Sequence, residues 1–216
     1  MTGNVPVVFV IDDDAAFLAG IERLLRASGY AVRCFSSAAE FLATWPSDSA
    51  GCVVADLQMP GMDGIALQAA VAGSDAPLPV VFLTGQGDIP TSVRAMRQGA
   101  EDFLTKTAPR EEVLAAIERA LARDARERAG RMHQRELRAR FEKLTPRERE
   151  VLGYVLRGRL NKQIAAELGI DERSVKRHRT SFMAKLAVRS VAELAQLAAE
   201  AGIAVATPVS GARSSQ

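Results

Sequence analysis

Cysteine is nearly absent from this 216-residue chain: only Cys34 and Cys52 are present, each inside an apolar run. That excludes a disulfide framework, leaves too few thiols for a zinc cluster, and fits a reducing, cytoplasmic setting. Long apolar runs are missing too. The N-terminal stretch VPVVFVI is about a third of the length a membrane-spanning helix needs, and no basic leader precedes it. A glycine-rich turn after the first apolar run is also lacking, since IDDDAAF follows, which excludes a dinucleotide-dependent oxidoreductase of the usual kind. Charge of one sign is scarce overall, at net +2, but the balance hides a split. Residues 1–106 carry 6 Lys+Arg against 12 Asp+Glu, and residues 107–216 carry 22 against 14. Two domains of opposite sign follow, and the basic one points to a polyanionic partner. With 48% hydrophobic and 25% charged residues, the chain has the material for two small cores.

The first half alternates short β-rich runs with helical patterns. VVFVI (7–11), AVRCF (31–35), CVVA (52–55), PVVFL (79–83) and EDFLT (101–105) read as five strands. Between them, AAFLAGIERLLRASG spaces Phe17, Ile21, Leu24, Leu25 and Ser28 along one helical face and stops at Gly29. Shorter helices are expected over 37–45, 65–71 and 91–98, the last following Pro90. Strands separated by helices need crossover connections, which gives a five-stranded parallel, doubly wound α/β sheet. Uniformly apolar strands fit burial on both faces.

From Arg110 the pattern becomes helical. Val113, Ile117 and Leu121 share one face, after which charge and alanine dominate until Met132, Leu137 and Phe141. A continuous helix of roughly 30 residues would reach about 45 Å, as a solvated linker or a dimerising stalk. The apolar seam fails between residues 122 and 131, with Gly130 inside the gap, which favours the linker. Thr145, Pro146 and Glu148 then mark a strong helix start. Helices are expected over 161–168, 172–186 and 191–200, the last with its own box from Ser190 to Glu193, making a small all-α domain. The final TPVSGARSSQ is small and polar, and a disordered tail is expected.

Ligands of a doubly wound sheet gather at the carboxyl ends of its strands. Asp12, Asp13 and Asp14 close the first strand, Asp56 the third, Thr84 the fourth and Lys106 the fifth. Crowded carboxylates repel each other, a cost usually met by a cation, and oxygen-only ligands favour Mg²⁺ over zinc. Asp13 and Asp56, with Asp12 acting directly or through water, are the candidate metal ligands. Lys106 offers a point charge and Thr84 a hydroxyl to incoming phosphate oxygens. Asp56 is then a nucleophile towards phosphorus, forming an aspartyl phosphate by positioning and charge neutralisation. Asp14 suits the cap of the first helix instead. A phosphatase with an aspartate nucleophile would typically carry a second Asp two residues on, where this chain has Gln58.

FVIDDD, VVADLQMPGMDG, FLTG and GAEDFLTK, in this order and spacing, resemble the receiver domain of two-component response regulators over roughly the first 106 residues. The resemblance implies a CheY- and flavodoxin-like fold. It assigns Asp12 and Asp13 to the acidic metal pair and Asp56 to the phosphoacceptor. Thr84 becomes the switch hydroxyl, Phe103 the aromatic switch position and Lys106 the phosphate-sensing lysine. Thr107 stands where the family usually has proline, so a trans peptide is expected after Lys106.

In the basic half, the helix over 172–186 can be laid out at about 100° per residue. Val175, Phe182 and Leu186 fall in a narrow arc, with Met183 at its edge and Arg179 nearby, its stem snorkelling past the core. Arg173, Lys176, Arg177, Thr180 and Ala184 lie opposite. A short helix with cations and a hydroxyl facing out, preceded by a compact helix and a turn at Gly169, has the form of a helix-turn-helix reader.

TPREREVL, NKQIAAELGI and SVKRH resemble the four-helix DNA-binding domain of the LuxR/NarL type over about 45 residues. The resemblance places Lys176, Arg177 and Thr180 near base edges and makes Arg173 and His178 phosphate contacts. Leu160 stands where the family often has a capping serine, so Asn161 is expected to cap, and Ala187 replaces a frequent glycine after the recognition helix. Together the two resemblances imply a FixJ/NarL-like transcriptional regulator. Its expected layout is a receiver over 1–122, a helical linker over 123–143, the DNA-binding domain over 144–203 and the tail over 204–216. The implied partners are a sensor histidine kinase, promoter DNA, RNA polymerase and, on phosphorylation, a second copy of the chain. No enzymatic activity is expected beyond its own phosphorylation and dephosphorylation. A constitutive DNA-binding protein with a merely structural receiver is the rival, and the intact acidic set argues against it.

Overall fold

The five apolar runs form five strands in a computed structural model that describes residues 5–46, 48–85 and 89–203. They are β1 (Val7–Ile11), β2 (Ala31–Phe35), β3 (Gly51–Ala55), β4 (Val80–Thr84) and β5 (Asp102–Thr105). All pairings are parallel, in the order β2-β1-β3-β4-β5. Side chains alternate across the sheet, and each face has its own core. Phe9 and Ile11 of β1 join Val53, Ala55 and Phe82 under α2 (Ala38–Thr44), α3 (Gly64–Ala72) and α4 (Ile89–Arg97). Val8 and Val10 join Val54, Val81 and Leu83 under α1 (Ala15–Ala27) and α5 (Arg110–Glu142). Burying a side chain such as Phe9 or Leu83 contributes about 1.5–3 kcal/mol, and the strands are apolar throughout because both faces are covered.

Local signals explain the helix ends. Asp14 caps α1 by accepting the Ala16 and Phe17 N–H groups, as its position suggested. Helix α4 starts at Ile89, two residues before the expected start, so Pro90 lies in the first turn, where its missing N–H costs nothing.

The chain divides into two compact units between Ala129 and Gly130, within the expected linker. Helix α5 runs unbroken through that point for 33 residues. Its charged stretch has definite work in the first unit. Asp124, 2% exposed, accepts the Gly51 N–H at 2.9 Å, and Arg128 donates to the Asp48 and Ser49 carbonyls at 2.8 Å each. Its last turns supply Leu137 and Phe141 to the core of the second unit.

That second core is completed by α6 (Pro146–Leu156), α7 (Asn161–Leu168), α8 (Glu172–Leu186) and α9 (Val191–Glu200), through Val151, Ile164, Val175, Phe182 and Leu194 among others. Thr145 and Glu148 form the expected capping box. The start of α7 differs from expectation. Leu160 occupies the cap position and Asn161 is the first helical residue, its side chain turned to Arg179 instead of the helix end. Gln163 reaches back to the Leu160 N–H at 2.9 Å, satisfying a donor that a capping serine leaves to its own partner. Helix α8 ends on Ala187 in the left-handed region, φ 55° and ψ 43°, the one non-glycine with positive φ among the described residues. The tail expected over 204–216 lies outside the described residues.

Candidate functional site

Reversal of strand order between β1 and β3 opens a crevice at their carboxyl ends, and the acidic residues stand there. Asp12 follows β1, Asp56 follows β3, and each meets the same ammonium: Lys106 Nζ lies 2.7 Å from Asp12 Oδ2 and 2.8 Å from Asp56 Oδ2. Asp12 and Asp56 are buried and Asp13 is exposed, yet all three place a carboxylate oxygen within 4.8 Å of the others. Backbone donors hold two of them: Asp12 Oδ1 accepts the Asp14 N–H at 2.9 Å and Asp56 Oδ1 the Gln58 N–H at 3.3 Å. Asp13 opens onto a cleft of about 570 Å³ lined also by Gln58, Asp63, Thr91 and Arg94.

Charge and burial oppose each other here. Burial pushes the Asp12 carboxyl above the ordinary aspartate value and the Asp56 charge adds to this, while Lys106 and the Asp14 N–H pull it down. Burial also pulls Lys106 down, but Asp12 and Asp56 outweigh it and hold the ammonium above its ordinary value. The donor set suits a hard dication, being oxygen alone with an exposed face at Asp13. Asp12 Oδ2 is a further sign. This buried oxygen meets Lys106 Nζ at 2.7 Å and, as a carboxylate oxygen, keeps acceptor capacity for a cation.

The remaining positions expected in the pocket flank this core. Thr84, 1% exposed, ends β4 and its carbonyl accepts the Lys106 N–H at 2.8 Å, so the two residues share one strand end. Phe103 is half-buried on the edge strand β5, its ring centroid 6.1 Å from that of Phe82. The Lys106–Thr107 peptide is trans, as the missing proline led us to expect. Two contributors escaped the sequence reading. Phe17, placed there on the core face of α1, has its ring centroid 4.5 Å from Lys106 Nζ, a cation–π contact that steadies the ammonium. Gly64 lets α3 start directly beneath Asp56: a Cβ there would lie 2.5 Å from the Asp56 carbonyl oxygen and 2.8 Å from the Phe82 ring.

In the second unit, α8 buries Val175, Phe182 and Leu186 and exposes Arg173, Lys176, Arg177 and Thr180, as the angular reading required. His178 and Arg179 are half-buried. Lys176 pairs with Glu172 one turn back at 3.3 Å, and Thr180 Oγ1 donates to the Lys176 carbonyl at 3.1 Å. These contacts lie within α8 itself and leave its outer face uncovered by other helices.

Residues 8–118 match the family described as the response regulator receiver domain, and residues 142–198 match that described as bacterial regulatory proteins, luxR family. The response regulator protein TodT of Pseudomonas putida is 40% identical over 197 residues, 91% of this chain and 87% of TodT. The transcriptional regulatory protein FixJ of Bradyrhizobium diazoefficiens is 38% identical over 196 residues, 91% of this chain and 96% of FixJ. Among solved structures, that of response regulator StyR aligns with a TM-score of 0.75 at 46% identity, covering 90% of this chain and 98% of StyR. Both halves of the chain thus have relatives that carry them in the same order, and the chain belongs to the response regulators that join a phosphorylation-dependent receiver domain to a LuxR-type DNA-binding domain to regulate transcription.

Proposed function

We propose that Asp56 accepts a phosphoryl group from a phosphohistidine of a sensor histidine kinase, and that this controls promoter binding by α8. The observation that carries the reading is the bridging of Asp12 and Asp56 by Lys106 beside an exposed Asp13. As an Asp56 oxygen bonds to phosphorus, the N–P bond to the donor histidine breaks. Asp12, Asp13 and Asp56 would hold Mg²⁺, which supplies charge neutralisation to the phosphoryl oxygens. Lys106 follows the new negative charge, and Thr84 offers its hydroxyl from the neighbouring strand end. The chain acts on nothing but its own aspartyl phosphate.

Phe103 stands on β5 opposite Phe82, two residues along β4 from Thr84, so a shift at that strand end can reach the α4 surface. That helix exposes Ile89, Val93 and Met96, an apolar stripe at i, i+4 and i+7 that supports pairing with a second copy. A dimer would present two α8 helices to paired half-sites, with Lys176, Arg177 and Thr180 at base edges and Arg173 and His178 at phosphates. RNA polymerase is then a further partner at the promoter, and the cytoplasm is the compartment in which such partners meet. Among the described residues no helix is long and apolar enough to cross a membrane. The domain limits of this reading are 1–122 for the receiver and 144–203 for DNA binding, joined by 123–143.

The test combines intact mass and solution molecular weight after incubation with a small phosphodonor, with and without Mg²⁺. The expected result is one phosphoryl group gained only with Mg²⁺, a shift from monomer to dimer, and neither in Asp56→Asn. Phosphorylation of Asp56→Asn to the same extent would remove Asp56 from its role.

A further inference from the structure

Recognition helix α8 is gripped along both flanks by polar partners that the readings above do not use. Taking Val175 as the core direction, Phe182 and Leu186 lie within about 20° of it, Ser181 and Lys185 about 120° and 80° to one side, and Arg179 about 40° to the other. On the first flank Ser181 Oγ donates to Glu148 Oε1 at 2.7 Å and Lys185 Nζ to Glu148 Oε2 at 2.8 Å. Glu148 is 3% exposed and fixed to the start of α6, because its carboxylate also accepts the Thr145 N–H at 2.8 Å. On the second flank Arg179 Nη1 donates to Asn161 Oδ1 of α7 at 2.7 Å.

An apolar core alone restrains the roll of a helix weakly, since apolar attraction has no direction. Short hydrogen bonds to a carboxylate and an amide do have one. A roll of about 20° moves a side-chain tip on the rim of a helix about 10–12 Å across by about 2 Å. Base-edge hydrogen bonds do not survive such a displacement, whereas flexible cations on phosphates adjust to it.

We propose that Glu148 and Asn161 are positioning residues for sequence readout. Acting through Ser181, Lys185 and Arg179, they set the roll of α8 and so the register of Lys176, Arg177 and Thr180 against the bases. This rests on the DNA-binding reading, and it makes one claim that reading does not: the clamps govern specificity and leave sequence-independent affinity alone.

The experiment selects duplexes from a randomised pool with the phosphodonor-treated full chain. It then measures binding of a selected and a scrambled duplex across a range of salt, with thermal unfolding recorded for each variant. Asn161→Ala and Ser181→Ala are expected to stay folded and to lose about tenfold on the selected duplex, the scale of one misplaced base contact. On the scrambled duplex they should lose less than about twofold, with an unchanged salt slope. Asn161→Asp keeps an acceptor for Arg179 and should retain both the specificity ratio and the affinity for the scrambled duplex, whereas it would weaken both duplexes alike if Asn161 touched a phosphate. Glu148→Gln should act in the same sense, and the two milder variants carry the test if it unfolds. Equal losses on both duplexes with a shallower salt slope, or an unchanged specificity ratio in both alanine variants, would overturn the proposal. A wild-type chain that selects no sequence would bring down the DNA-binding reading itself.

Discussion

Replacing Glu148 by glutamine should destabilise the DNA-binding unit by about 2–3 kcal/mol near neutral pH, and this cost should vanish in acid. Burial by itself would raise the Glu148 carboxyl, but the Lys185 ammonium, the Ser181 hydroxyl and the Thr145 N–H outweigh it and bring the value from 4.5 down to about 2. A difference of that size corresponds to about 3 kcal/mol at pH 7. Because the folded-state value is depressed, the stabilisation is complete above the unfolded value of 4.5 and is lost as pH falls towards 2. Lys185 keeps 38% of its side chain exposed, so the pair does not enjoy the full attraction of a deep interior, and the lower part of the range is the sounder expectation. Glutamine can still serve the capping box, so the substitution isolates the charge and one of the two α8 donors. The assay is hydrogen exchange of α6 and α8 amides in the full chain, wild type against Glu148→Gln, at pH 7 and through the range from 5 to 3. The difference in opening free energy should hold down to about pH 5 and then shrink. A difference of the same size at every pH, or one below about 0.5 kcal/mol at pH 7, would refute the electrostatic account.

Ala187→Gly should raise the stability of the same unit by about 1 kcal/mol, because alanine at φ 55° bears a left-handed penalty that glycine escapes; thermal unfolding of the two chains reads it directly. Mg²⁺ should raise the unfolding temperature of the receiver unit, and Asp13→Asn should abolish the rise while leaving the metal-free transition in place, since Lys106 pairs with Asp12 and Asp56 and not with Asp13. Lys176→Ala should weaken binding of a selected duplex about tenfold or more and relax the preference at one base position, with little effect on folding because its ion pair among the described residues is an exposed contact with Glu172 at 3.3 Å.

The sheet was legible because a buried parallel strand writes itself in consecutive residues, and so was the meeting of Asp12, Asp56 and Lys106, which follow such strands directly. Asp56 after GCVVA and Lys106 after DFLT needed no long-range knowledge. Two helices of the second unit were legible through their caps, Thr145 and Ser190, each an acceptor for an N–H three residues on. What escaped depends on partners far along the chain. Glu148 reads locally as half of a capping box, but its other partners lie 33 and 37 residues away, and Asn161 and Arg179 are 18 apart. Asp124 looked like one more charge on a solvated helix until β3 brought Gly51 to it across 73 residues. Polar groups that fasten one element to another leave no periodic trace, since one residue at each end suffices.

The two units use the same chemistry, a lysine on a buried carboxylate, to opposite ends, and the charge balance tells them apart. Glu148 faces one ammonium with neutral donors around it, so the cluster is closed and has nothing to offer a ligand. Among the described residues, Asp12, Asp13 and Asp56 share the one ammonium of Lys106, which leaves an excess of two negative charges where Asp13 meets solvent. A dication brings that balance to zero. Under the proposed function, phosphorylation would replace the carboxylate charge of Asp56 with the larger charge of a phosphoryl group, and Lys106 could not serve that group and keep both of its present partners. Without the metal, buried Asp12 would then be left with no cation, an uncompensated charge of the kind that costs several kcal/mol in a protein interior. In the proposed switch, occupancy by Mg²⁺ and phosphorylation of Asp56 are therefore coupled: each should stabilise the other, and the release of Lys106 from Asp12 is the first movement that the new charge demands.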